Sequence, residues 1–227
     1  MPSLTQLLTS HDRLLVLDAA SQDVQVGLLR AGFRDVWRHS PEEAGASIFT
    51  STESLLDETG LQVGDIGAFV FCEGPGSTLG TRTIAMALRT WQVLAPRPAY
   101  SYQSLAVAAR HAWAKSRPRA FAVIADARRD TWHCQPVAAD GRLAALQRAP
   151  VTALPAGELA TPEHFRSWAS PERPLGTCSY DLSQIFPVVA DDDHFQRIES
   201  ADAFQHDAPE YKKWSARVHS TLTADKK

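Results

Sequence analysis

The sequence predicts an α/β fold in which one unit is built twice. The apolar run Arg13-Leu14-Leu15-Val16-Leu17 ends in Asp18, and Phe121-Ala122-Val123-Ile124-Ala125 ends in Asp126. Each aspartate opens a turn into a second strand and then a reversal at a glycine, and Gly32 follows Asp18 at nearly the spacing at which Gly141 follows Asp126. A fixed-spacing recurrence of this kind is the mark of an internal duplication. The two halves share little sequence identity, so chance is the competing explanation.

Taken in order, residues 1–12 read as an N-terminal extension, 13–117 as a first lobe, 118–216 as a second lobe and 217–227 as a polar tail. The continuous apolar run at 13–18 predicts a strand buried on both faces. Residues 24–29 predict the next strand, and Ala31-Gly32 a reversal into a third at Phe33–Trp37. Ser40-Pro41-Glu42-Glu43 gives a capping serine with proline at the first helical position. That helix is expected to reach about Glu58, with Ile48, Phe49, Thr52, Leu55 and Leu56 on one stripe, and to stop at Gly60. A strand at 66–71 then leads into Gly74-Pro75-Gly76-Ser77-Thr78-Leu79-Gly80-Thr81-Arg82. A helix over 83–91 ends before Pro96, a short strand sits at 99–101, and a second helix runs from Ser104 to Lys115.

Pro118 marks the midpoint. Strands are expected at 121–126 and 132–137, where Pro136 favours an edge position. Asp140-Gly141 predicts a hairpin into a strand at 143–146. The remainder is read as a short helix within 154–170, a strand at 174–177, helical turns at 181–185 and 201–206, and a frayed tail.

With 227 residues, 44% apolar and 22% charged, the chain can bury a sizeable core. The net charge of −3 is unevenly spread. Residues 74–125 contain no acid but carry Arg82, Arg89, Arg97, Arg110, Lys115, Arg117 and Arg119, whereas residues 41–60 are acidic with no Lys or Arg. This suggests faces of opposite sign suited to a charged partner or RNA, against the alternative of an uneven solvated surface. The three cysteines form no CxxC, which fits a reducing cytosol and argues against a disulfide framework or zinc site. No signal peptide or membrane span is read, and a cytoplasmic protein is expected.

The glycine loop sits where backbone N–H groups could meet a phosphate, and Asp18, Gly74, Gly76, Ser77, Gly80 and Arg82 are the residues that could contact one. It lacks the lysine of a P-loop, and its third glycine comes one residue late for a dinucleotide fingerprint. The acid-free stretch that follows has no ribose ligand, so a structural or partner-facing turn is the favoured reading. Asp18 and Asp126 are otherwise turn aspartates that cap neighbouring N–H groups. No HxxxH or HExxH pair is present. Asp191-Asp192-Asp193-His194 reads as a solvated loop, and Cys72 as inert core. No catalytic residue and no metal ligand is expected.

The residues Leu15–Ser21, His39-Ser40, the loop 74–82, Ser104-Leu105, Asp126-Ala127-Arg128-Arg129 and Pro209-Glu210-Tyr211 together resemble the TsaB (YeaZ-like) family of bacterial tRNA threonylcarbamoyladenosine synthesis. The loop departs from the family's GPGSFTGLRIG at Thr78, Leu79, Thr81 and Thr83. The resemblance implies an actin-like ATPase fold of two duplicated βββαβα lobes and a non-catalytic role. It implies pairing with a TsaD-like catalytic subunit and a TsaE-like ATPase, contact with tRNA only indirectly, and a homodimer when alone. ATP and a metal are then expected only in the partner complex. The first-lobe helices, residues 43–58 and 81–94, would carry the partner surface, with His39, Ile48, Phe49, Thr52, Leu55, Leu56, Arg82 and Arg89 as candidates. The competing reading is an actin-fold ATP-dependent enzyme or an M22-type peptidase. A dinucleotide-binding protein is a third, disfavoured by the missing acid.

Overall fold

A computed structural model describes residues 1–115 and 119–205. Two sheets share one topology. In the first, β1 (Arg13–Asp18), β2 (Val24–Arg30) and β3 (Val36–Ser40) run antiparallel in succession, and β4 (Ala68–Gly74) and β5 (Ala99–Gln103) add parallel strands on the other side of β1. In the second, β6 (Phe121–Asp126), β7 (Thr131–Val137), β8 (Gln147–Pro150), β9 (Glu158–Pro162) and β10 (Leu175–Cys178) repeat that order, with β9 and β10 parallel on the far side of β6. The repeat read at Asp18 and Asp126 is therefore a duplication of sheet topology, and the fold is the actin-like α/β architecture.

Alternation along β1 explains how two helical layers fit. Leu14 and Val16 face a core between the sheets, which is filled by α4 (Ser104–Lys115) and α5 (Leu182–Val189). Leu15 and Leu17 face the opposite core under α2 (Ala44–Thr59) and α3 (Thr78–Leu94). All four are 0% exposed, and burying each stabilises the fold by about 2 kcal/mol.

Several expectations shift. Residues 1–12 contain a helix, α1 (Leu4–His11), whose Ser3 and Gln6 form a capping box. The third strand lies at 36–40, not 33–37, because Trp37 must pack over Gly27, where an added Cβ would lie 2.5 Å from the indole; Phe33 is left 70% exposed. Ser40 thus ends β3, and α2 begins at Ala44 with Glu43 as an N-cap that makes no side-chain cap. The second lobe lacks the two crossover helices of the first. A 3₁₀ turn (Val151–Ala153) replaces one, the loop at 163–174 replaces the other, and the helix expected within 154–170 is β9 and irregular chain. The strand expected at 143–146 shrinks to a bridge between Val137 and Leu143, with β8 following. Pro136 lies beyond the β7 residues that pair with β8, where its carbonyl accepts from the Ala144 amide at 3.1 Å and its missing N–H costs no ladder bond to β8. Residues 196–198, read with the second lobe, form β11 and pair antiparallel with β5 of the first sheet. Residues 201–205 form no helical turn. Pro118, His206, the Pro209-Glu210-Tyr211 motif and the tail lie outside the described residues. No helix among the described residues is long and apolar enough to cross a membrane.

Candidate functional site: the inter-lobe joint and the outer face of the first-lobe helices

Asp18, at the end of β1, is 0% exposed. Its Oδ2 accepts from Tyr102 at 2.6 Å and from Tyr180 at 2.7 Å, and its Oδ1 accepts from the Ala20 amide at 2.8 Å. Tyr102 comes from β5 and Tyr180 from the link between β10 and α5, so the carboxylate joins the two lobes. Burial pushes the Asp18 carboxyl up from the usual carboxylate range, against the opposing pull of these three hydrogen bonds. Burial, and then the neighbouring Asp18 charge, pushes both tyrosines well up. Gln25, also 0% exposed, completes the joint: its Nε2 donates to the Tyr180 carbonyl at 2.7 Å and its Oε1 accepts from the Leu182 amide at 2.8 Å. Sequence reasoning missed Gln25, Tyr102 and Tyr180, since nothing local marks contacts that span half the chain.

The glycine loop closes over the same joint. Gly74 ends β4 with φ 113°, and the Gly74–Pro75 bond is cis. A Cβ on Gly76 would lie 2.3 Å from the Ala20 carbonyl oxygen, and one on Gly80 2.2 Å from that of Ala19. The Ser77 amide donates to the Ala20 carbonyl at 2.7 Å. Ser77 then caps α3, its Oγ accepting from the Gly80 amide at 3.2 Å. Close approach at these glycines is thus made by the chain's own backbone. With Asp18 enclosed by two tyrosines, the residues around it do not fit a nucleotide phosphate. The other face of Gly76 and Ser77 borders a cleft of about 270 Å³ beside Asp126, Arg128, His133, Phe165, Arg166 and Trp168.

The candidate partner residues separate sharply. Ile48, Thr52, Leu55 and Leu56 are at most 5% exposed, packed into the chain's own core, and offer no surface; they are corrected to structural positions. The apolar stripe read in α2 is the face it turns to the sheet. His39 is tied at 2.8 Å to Asp23, with Asp181 at 3.9 Å, and Arg89 donates to the Ala201 carbonyl at 2.7 Å. Phe49 is 46% exposed and meets Trp91 edge-on. Arg82 is exposed on α3. Beside it stand Leu79, Met86 and Val93, which are 77%, 59% and 84% exposed. These three recur every seven residues and so share one face of α3, whose opposite face buries Ile84, Ala85 and Leu88. The sequence contained this stripe, but reading the first turn of the helix as loop concealed it.

The acidic loop at 191–194 is held internally: Asp192 pairs with Arg110 at 2.9 Å and Asp191 accepts from the Thr5 hydroxyl at 2.7 Å. Cys72 is buried 3.8 Å from the Tyr180 hydroxyl, and burial pushes its thiol well up. Among the described residues no group of three or more His, Cys, Asp or Glu could hold a metal ion.

No protein-family model and no curated protein matches the chain. Among solved structures it is similar to YeaZ from Pseudomonas aeruginosa, at 22% identity and a TM-score of 0.61, covering 79% of this chain and 90% of that one. A second structure, an uncharacterized protein from Pseudomonas aeruginosa with similarity to peptidase YeaZ, aligns at 20% identity and a TM-score of 0.60, covering 78% of this chain and 89% of that one. The chain has the YeaZ fold.

Proposed function

We propose that the chain is a TsaB-like, non-catalytic partner subunit. In this reading it binds a TsaD-like threonylcarbamoyltransferase through the outer face of α3 and supports threonylcarbamoyladenosine formation on tRNA in the cytoplasm. The observation that carries the reading is the Leu79–Met86–Val93 stripe; Phe49 of α2, half exposed, packs edge-on against Trp91 of the same helix as the stripe. Large apolar side chains aligned on one exposed face of a long helix favour burial against another protein. Arg82 and Arg89 flank the stripe, and the outer side of α2 carries Glu53, Asp57 and Glu58, a charge pattern that can set the partner's orientation. The YeaZ fold and the Gly74–Arg82 loop support the same assignment. A TsaE-like ATPase joins the pair, ATP and metal belong to that complex, and without the partner the stripe pairs two copies of this chain.

The test is capture from native extract with the tagged chain, together with nucleoside analysis of tRNA from a deletion strain. Recovery of a TsaD-like enzyme and loss of the modified nucleoside are expected. Full modification after deletion would overturn the proposal. The competing reading, an actin-fold ATP-dependent enzyme or M22-type peptidase, requires ATP turnover or proteolysis by the purified chain.

A further inference from the structure

We propose that the β6–β7 turn and the loop after β9 form a binding surface for single-stranded RNA, with Trp168 as the stacking platform and Arg128, Arg129 and Arg166 as phosphate contacts. Trp168 is 62% exposed, yet its backbone is fixed. The Asp126 carboxylate accepts from the Trp168 amide at 2.7 Å and the Ala169 amide at 3.1 Å, while its second oxygen accepts from the Arg128 amide at 2.6 Å. One carboxylate therefore holds an arginine and an indole together, and the Arg128 guanidinium lies 4.1 Å from the indole ring centre.

The turn itself is held in a costly backbone conformation. Arg128, Arg129 and Asp130 have φ of 63°, 53° and 56°, a left-handed run that non-glycine residues adopt only under constraint. Arg148 from β8 supplies part of that constraint, donating to the Thr131 hydroxyl at 3.0 Å and the Ala127 carbonyl at 3.2 Å. Arg128, Arg129 and Arg166 are all exposed, and Arg129 and Arg166 make no ion pair among the described residues. Within the turn, Asp126 is already taken up by amides, which leaves Asp130 beside Arg128 and Arg129.

An exposed indole backed by arginine suits a nucleobase, because every base has a π face, while the flanking guanidiniums suit phosphates. The neighbouring cleft of about 270 Å³ gives room for an unstacked base. The cleft meets the α3 stripe at Leu79, which lines both, whereas Trp168 and the arginines lie outside the apolar stripe that fits a protein. The choice of RNA over DNA rests on the proposed role in tRNA modification; the stacking and charge do not.

The experiment is fluorescence anisotropy of the full-length chain with a labelled uridine 12-mer, against a thymidine 12-mer and inorganic polyphosphate. Uridine binding is expected to fall linearly with the logarithm of salt concentration. Trp168→Ala is expected to weaken it at least about fivefold with an unchanged melting temperature, and Trp168→Phe to restore most of it. Arg129→Ala and Arg166→Ala are each expected to reduce the salt slope by about 1. Absence of binding at low salt, binding indifferent to Trp168→Ala, or polyphosphate binding as tightly as the uridine 12-mer would overturn the proposal. Tighter binding of the thymidine 12-mer would overturn the choice of RNA. The assay uses this chain alone, so its failure leaves the partner-capture result standing, and the reverse also holds.

Discussion

Tyr180 donates a 2.7 Å hydrogen bond to Asp18 across 162 residues of sequence, and Tyr102 donates to the same oxygen at 2.6 Å. The aspartate that ends the first strand is thereby a strut between lobes. Asp18→Ala would leave two buried hydroxyls and the Ala20 amide without an acceptor, destabilising the fold by about 3 kcal/mol. Urea unfolding of the variant measures this, and a loss below about 1 kcal/mol would contradict the strut.

The same carboxyl gives a pH signature. Its folded pKa is raised by burial above the unfolded value, so the folded state binds the proton more tightly. Its contribution is then most favourable at low pH and declines as pH rises from about 4 through the raised folded value. The stability difference between wild type and Asp18→Asn, followed by urea titration from pH 4 to 8, is expected to shift toward the variant as pH rises. A difference independent of pH would contradict the direction.

Glycines in the first lobe differ in what an added methyl would meet. Gly80→Ala places a Cβ against the Ala19 carbonyl and is expected to cost about 2 kcal/mol. Gly45, in the first turn of α2, has nothing within 4 Å, and Gly45→Ala is expected to add about 0.5–1 kcal/mol through helix propensity. Opposite shifts in melting temperature are the expected result; equal shifts would contradict the packing.

Burial pushes the Cys134 thiol up to about 11 and the Cys178 thiol up to about 12, with Cys72 also raised well above its usual value. Thiolate is then scarce at pH 8. Alkylation of the native chain by iodoacetamide is expected to be slow at all three sites and fast after unfolding. Rapid labelling of any of them in the native state would contradict their environment.

Strands β1 and β6 were legible because a continuous apolar run ending in aspartate is a local signal; the start of α3 at Thr78 was not, because Gly80 in its first turn reads as a continuation of the glycine loop. The position of β3 was not, because it is set by Trp37 packing over Gly27 on the neighbouring strand. The second lobe misled in a different way: it keeps the strand order of the first but drops its crossover helices, and sequence near 154–170 gives no sign of that. Helix α1 was readable from Ser3 and Gln6, whose reciprocal capping is local. At the joint, Asp18 was readable and its partners were not, since Tyr102, Tyr180 and Gln25 meet only through the tertiary fold.

One substitution directly addresses the outer face of α3 as a protein interface. Met86→Asp places a charge in the middle of the exposed stripe without touching the core. Calorimetric titration of the purified chain with a TsaD-like enzyme is expected to show binding by wild type and loss of at least about tenfold in affinity for the variant, with the melting temperature unchanged. Undiminished binding by Met86→Asp would contradict the assignment of this face.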